Sequence, residues 1–170
     1  MNAKQITERA CAYFVALGLL AYGVGKTVQF AGANQVATPV AELTGMQLMW
    51  AFYGYSRGFV LLLGALELTA AGLLLFRPTR LLACLLASTI LVNVILQDVF
   101  YGVHAGALVA ALLYQIALLV ILWLNRAAVA AAVGALTRLP RNAGGAWGYV
   151  LAAGGCLLLH LLAYWITHGV

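Results

Sequence analysis

The sequence predicts an all-α fold, a polytopic bundle of transmembrane helices, and three observations carry that expectation. Of the 170 residues, 65% are hydrophobic and 8% charged, against about 45–50% and 25% in an ordinary soluble domain. The apolar residues arrive in blocks of about 20, the length at which a helix crosses about 30 Å of hydrocarbon. Little chain remains between the blocks, so residues 1–170 are expected to form a single transmembrane domain with the lipid bilayer as solvent.

The first span is expected over about residues 10–29. Lys4 and Arg9 precede it, and Ala31-Gly32-Ala33 has the form of a signal-peptidase site. The apolar run is nevertheless too long for the core of a leader, and Lys26 interrupts the approach, so an uncleaved helix is expected. Residues 30–56 make the longest connection. Within it Thr38-Pro39 offers an N-cap and a favourable first helical position, and Val40, Leu43, Met46, Gln47 and Trp50 follow at helical spacing. A short helix lying in the outer interface is the reading.

The second span, 57–76, ends at Arg77-Pro78-Thr79-Arg80, where the proline bars a continuous helix. The third covers 81–99, Phe100-Tyr101-Gly102 turns the chain, and the fourth covers 104–124. The small residues from Ala127 to Leu136 suit a helical extension or an interfacial helix. Arg138, Pro140, Arg141, Asn142, Gly144 and Gly145 then break the pattern before a fifth, C-terminal span at 147–167.

Lys and Arg assign the orientation. Lys4, Arg9, Arg77, Arg80, Arg126, Arg138 and Arg141 fall on one side and Lys26 and Arg57 on the other, which puts the N-terminus in the cytoplasm and the C-terminus outside, in a bacterial inner membrane. Aromatic residues agree, with Trp50, Tyr53, Tyr55, Tyr101, Tyr164 and Trp165 at the outer boundary and Phe76, Trp123, Trp147 and Tyr149 at the inner. The formal charge of +5 is scattered between apolar blocks and forms no basic stripe, so nucleic acid is not expected as a partner. Cys11, Cys84 and Cys156 stand alone in separate blocks and read as buried structural thiols.

Glu67 is the most informative residue, because a carboxylate near the middle of a span costs at least about 2.5–3.5 kcal/mol on insertion scales. It must face the bundle interior. At the helical rise, Gln115 on the fourth span reaches a similar depth and Asn93 on the third lies further out, making both candidate hydrogen-bond partners. Lys26 and Asp98 are placed to pair across the bundle, with Arg57, Gln29, Gln97 and His104 at the same level. These side chains predict a polar funnel that starts at the outer face and ends at Glu67; the competing reading is interhelical hydrogen bonding without a ligand. His104, His160 and His168 show no ligand spacing, so neither metal nor haem is expected. Gly25-Lys26-Thr27 lacks the first glycine and the strand of a phosphate-binding loop. Gly102 with Gly106, and Gly144 with Gly148, have the spacing that permits close helix contact.

Gly23-Val24-Gly25-Lys26 at the end of the first span, with Gly64-Ala65-Leu66-Glu67-Leu68 and Gly72-Leu73-Leu74-Leu75 before Arg77-Pro78-Thr79-Arg80, resembles the DoxX-like membrane proteins over residues 10–125. That resemblance implies a four-helix membrane core with a glycine-lysine end to helix one and a glycine-x-x-glutamate pattern in helix two, which Lys26 and Glu67 match; the fifth span departs from it. It implies varied roles: a subunit linked to thiosulfate and quinone oxidation, accessory proteins of oxidative-stress or metal-related operons, and animal relatives that assist receptor assembly.

Three functions follow as expectations. The first is a small accessory or assembly subunit of a larger membrane complex, with quinone as the candidate cofactor, since no complete catalytic constellation is visible. The second is a binding protein or transporter for a small hydrophobic or cationic ligand anchored by Glu67. The third is an enzyme acting on a lipid or quinone through Glu67, Asp98 and His104.

Overall fold

A computed structural model describes residues 2–138 and 145–168. The chain folds as two units, Met1–Ala131 and Ala132–Val170. The first begins with helix α1 (Ala3–Gly25), fixed by a reciprocal cap in which Asn2 Oδ1 accepts from the Gln5 amide at 3.0 Å and Gln5 Oε1 accepts from the Asn2 amide at 3.2 Å. After a series of turns and one 3-10 turn, Val40–Glu42, helices α2 (Gly45–Tyr55), α3 (Arg57–Leu75), α4 (Arg80–Phe100) and α5 (Ala105–Leu124) follow. Helix α6 is Arg126–Thr137 and helix α7, in the second unit, is Ala146–His168.

Short connections make α3, α4 and α5 run alternately up and down. Helix α1 is antiparallel to α3, because Glu8 near its start meets Arg80 just past the end of α3, while Gly23 near its end meets Gly64 in the first half of α3. Helices α1, α3, α4 and α5 pack in that order as a ring, with α5 closing on α1. Its core interleaves small and large residues: Ala12, Ala16 and Leu19 from α1, Ala70, Ala71 and Leu74 from α3, Ala83, Cys84, Ala87 and Leu91 from α4, Ala111, Leu118 and Ile121 from α5. Alanine at these contacts lets the backbones approach, the packing that holds helices together where the surroundings are as apolar as the side chains.

Four helices, α3, α4, α5 and α7, are long and apolar enough to cross a membrane, which makes this a helical membrane protein. The first helix differs from expectation: it starts at Ala3, takes Lys4, Glu8 and Arg9 into its first turns, and stops at Gly25 rather than 29, so its apolar stretch is short. The break expected before the last helix lies largely outside the described residues, as do Pro140, Arg141, Asn142 and Gly144. Cys84 is buried as expected and Cys11 half-buried, but Cys156 is exposed.

The 77–80 turn does more than stop a helix. Thr79 Oγ1 donates to the Leu73 carbonyl at 2.8 Å and Arg80 Nε to the Leu74 carbonyl at 3.0 Å, filling acceptors that the last turn of α3 leaves open. Arg80 also donates through Nη1 to Glu8 Oε1 at 2.8 Å, and both residues are buried. One guanidinium thus joins three helices.

Candidate functional site

At the opposite end of the ring, α1 and α3 cross through glycines. A Cβ at Gly64 would lie 2.9 Å from the Gly23 carbonyl oxygen and 2.9 Å from Lys26 Cβ; a Cβ at Gly23 would lie 2.8 Å from Leu68 Cγ. The stem of Lys26 therefore runs over the bare face of Gly64, and Leu68 over that of Gly23. Glu67 follows Gly64 by three residues, as Lys26 follows Gly23, so the crossing brings the two charges together on neighbouring helix faces. Lys26 Nζ stands 3.5 Å from Glu67 Oε1 and donates to Gln29 Oε1 at 2.9 Å.

Helix α2 roofs this pair. Its start is a second reciprocal cap, Thr44 Oγ1 accepting from the Gln47 amide and Gln47 Oε1 accepting from the Thr44 amide at 2.9 Å. Thr38-Pro39, expected to start the helix, opens only the 3-10 turn. The helix packs closely on the rest of its unit. Gly45 sits against the Tyr101 carbonyl and Gly54 against the Phe30 carbonyl and Asn34 amide, contacts that leave no room for a Cβ, while Met49 and Tyr53 are buried beneath it. Tyr53, expected among outer aromatics, turns inward and donates its hydroxyl to Gln97 Oε1 at 2.8 Å. Burial holds this phenol above its ordinary value, the Gln97 bond opposing, so it remains a neutral donor. Phe30 stacks on Tyr53 with ring centres 4.9 Å apart and meets Trp50 edge-on at 5.0 Å. Its backbone is left-handed, φ 65°, a region a bulky residue rarely enters, and the aromatic contacts hold it there.

Between the roof and the ring lies a cavity of about 320 Å³, at the small end of ligand pockets, about 300–1,000 Å³. Leu19, Tyr22 and Lys26 line it from α1, Met46, Met49, Trp50 and Tyr53 from α2, Leu63, Leu66 and Glu67 from α3, and Leu91, Asn93, Val94, Gln97 and Asp98 from α4. Met46, Leu66, Asn93 and His104 are lining residues that are also exposed and mark its rim. Glu67 is 4% and Asp98 6% exposed. Among the described residues, the buried side-chain oxygens with no hydrogen-bond partner are Glu67 Oε2, Asp98 Oδ2 and, outside the cavity lining, Gln115 Oε1, a costly state in an apolar interior.

The structure brings together seven of the residues expected at the site: Lys26, Gln29, Glu67, Asn93, Gln97, Asp98 and His104. Their pairings differ. Lys26 engages Glu67 instead of Asp98, because the glycine crossing sets its stem beside α3. Asn93 accepts from Gln97 Nε2 rather than serving Glu67. Gln115 is not a lining residue: its Nε2 donates to Ser88 Oγ at 3.1 Å on the α4–α5 contact, which makes it interhelical glue. Arg57 also stays outside, exposed, donating to the Thr27 carbonyl. His104 accepts the Gly106 amide at Nδ1, 3.1 Å, capping α5. Gly102 and Gly106 form no helix contact; Gly102 takes a left-handed turn at φ 62° and a Cβ at Gly106 would meet only the His104 ring. Sequence reasoning missed the α2 residues, although Thr44-x-x-Gln47 signals where that helix begins, and it missed the Glu8–Arg80 pair. Among the described residues, no group of three or more His, Cys, Asp and Glu could hold a metal ion.

These features define a helical membrane protein with a largely apolar, partly enclosed cavity between its helices, into whose lining a few charged residues are set. Over 116 residues it is 31% identical to the uncharacterized protein YwoB of Bacillus subtilis (strain 168), a stretch covering 66% of this chain and 73% of that protein, and the chain belongs to the same family as YwoB. No protein-family model matches the chain, and no solved structure matches it.

Proposed function

We propose that this protein binds a small, largely apolar molecule in the cavity under α2, with the polar end of the ligand directed at Glu67 and Asp98. The observation that carries the reading is the cavity itself, where two nearly inaccessible carboxylates each present an unpartnered oxygen beside apolar and aromatic walls. A binding role fits this site better than an enzyme's, since His104 commits Nδ1 to capping α5 and Glu67 is engaged by Lys26. It also fits better than an accessory subunit without a ligand, for which filled hydrocarbon would serve. In the same reading α1 is a fifth span, the α2 end faces outward and the N-terminus lies in the cytoplasm of a bacterial cell, supported by the Lys and Arg distribution. Membership of the DoxX-like group belongs to the proposal too, supported by the part that Gly23, Lys26, Gly64 and Glu67 play in one crossing.

Native mass spectrometry of protein extracted from its own membranes in mild detergent tests the reading. Ala107 lines the cavity from α5, so a discrete small-molecule adduct is expected on the wild type and absent from Ala107→Trp, whose indole would enter that space. A wild type without any adduct, or an adduct that survives the tryptophan, would overturn it.

A further inference from the structure

We infer that the ligand is an amine, seated with its ammonium group on Asp98. This rests on the cavity being a ligand site and adds the chemistry of the head group. The charged groups lining the cavity among the described residues are Glu67, Asp98 and Lys26, with His104 at the rim. Lys26 is committed to Glu67, which leaves Asp98 with no cation among those lining groups and with Oδ2 unpartnered. With all three groups ionised the lining carries one uncompensated negative charge, which a protein interior either removes by protonating the acid or sustains when a cation or a donor completes it. Glu67, another lining residue, also carries a buried acceptor without a partner, Oε2. A ligand that only accepts hydrogen bonds, such as a ketone, ether or ester, leaves both oxygens as they stand while the acids are ionised. A monocation carrying N–H donors completes both the charge and the hydrogen bonding.

The body of the ligand follows from the rest of the wall. Phe30, Trp50 and Tyr53 supply aromatic surface on the roof side, and Met46 and Met49 add adaptable apolar contact. About 320 Å³ holds a compact aromatic or branched aliphatic group. The ammonium could come from a free amine or from an ethanolamine lipid head group. The lipid would bring a phosphate as well, and Lys26, the lysine of the lining, is already paired with Glu67; a free amine has no such demand.

The test compares 2-phenylethylamine with its neutral near-isostere 2-phenylethanol, by calorimetry and thermal shift, on the full-length protein in phosphatidylcholine nanodiscs. The wild type is expected to prefer the amine by about tenfold or more, and Asp98→Asn to lose that preference while still binding the alcohol. Equal binding of the two probes, a preference for the alcohol, or an amine preference unchanged by Asp98→Asn would overturn the amine inference and leave the cavity standing as a ligand site. Binding of neither probe would remove both. The wild-type comparison stands by itself if Asp98→Asn does not fold. Repeating it in phosphatidylethanolamine nanodiscs separates the sources: displacement of the amine probe makes the lipid head group the ligand, and undiminished binding makes it a free amine.

Discussion

Lys26 and Glu67 are a buried pair whose members have unequal support, since Lys26 keeps Gln29 when Glu67 is neutralised. Glu67→Gln should therefore cost about 3 kcal/mol, the low end for breaking such a pair. The double variant with Lys26→Met should cost less than the sum of the two singles. Unfolding titrations in mixed micelles measure the cycle, and strict additivity would mean that the two side chains do not interact. Arg80 is more exacting. Its guanidinium holds the Leu74 carbonyl through Nε and Glu8 through Nη1, so Arg80→Ala should cost about 3–5 kcal/mol, and Arg80→Lys should recover only part because an ammonium lacks the fork. Full recovery by lysine would show that charge alone matters there. Glu67 was legible in the sequence as an inward-facing acid because its position in the span is so costly. Its partner was not, since depth along a helix says nothing about which neighbour a long lysine stem will follow.

At the level of elements, the glycines of α3 separate two roles that look alike in the sequence. A methyl group at Gly64 would press on the Gly23 carbonyl and the Lys26 stem, whereas one at Gly72 would meet open space. Gly64→Ala should destabilise by about 1–3 kcal/mol, as overpacking does, and Gly72→Ala should be neutral or stabilise by up to about 1 kcal/mol through helix propensity. Thermal unfolding of the two variants in one detergent distinguishes them; equal effects would mean that the crossing is not tight. In α2, Thr44→Ala removes the cap and should cost about 1 kcal/mol, visible as faster amide exchange in the first turn of that helix. Helices α3, α4 and α5 of the ring were legible from block length alone, whereas α1 begins earlier and ends sooner than its apolar block suggested. The packing of α2 was not legible, because its apolar residues suit a membrane interface and a roof over a cavity equally well, and the close approaches at Gly45 and Gly54 come from chain segments distant in sequence.

For the whole molecule, the ring places an ion pair near each end of α1, Glu8 with Arg80 at one and Lys26 with Glu67 at the other. In the proposed orientation, which rests on the Lys and Arg distribution, the Lys26 end lies outside. A phosphatase reporter fused within residues 35–43 should accordingly be active beyond the membrane, and one fused after Ala127 inactive; the reverse pattern would invert the orientation. Composition and block length fix membrane residence for so apolar a chain, and helical rise set Lys26 and Asp98 at the outer level with Glu67 deeper, at the end of a polar funnel. The enclosure of that funnel did not follow, because it depends on how residues 26–56 fold back. The most direct measurement is an experimental density map of the protein in nanodiscs formed from its own membrane lipids. The account predicts discrete non-protein density between Tyr53, Glu67 and Asp98, within about 3 Å of the Asp98 carboxylate. Side chains closing that space completely, with Glu67 turned outward to the acyl chains, would contradict it.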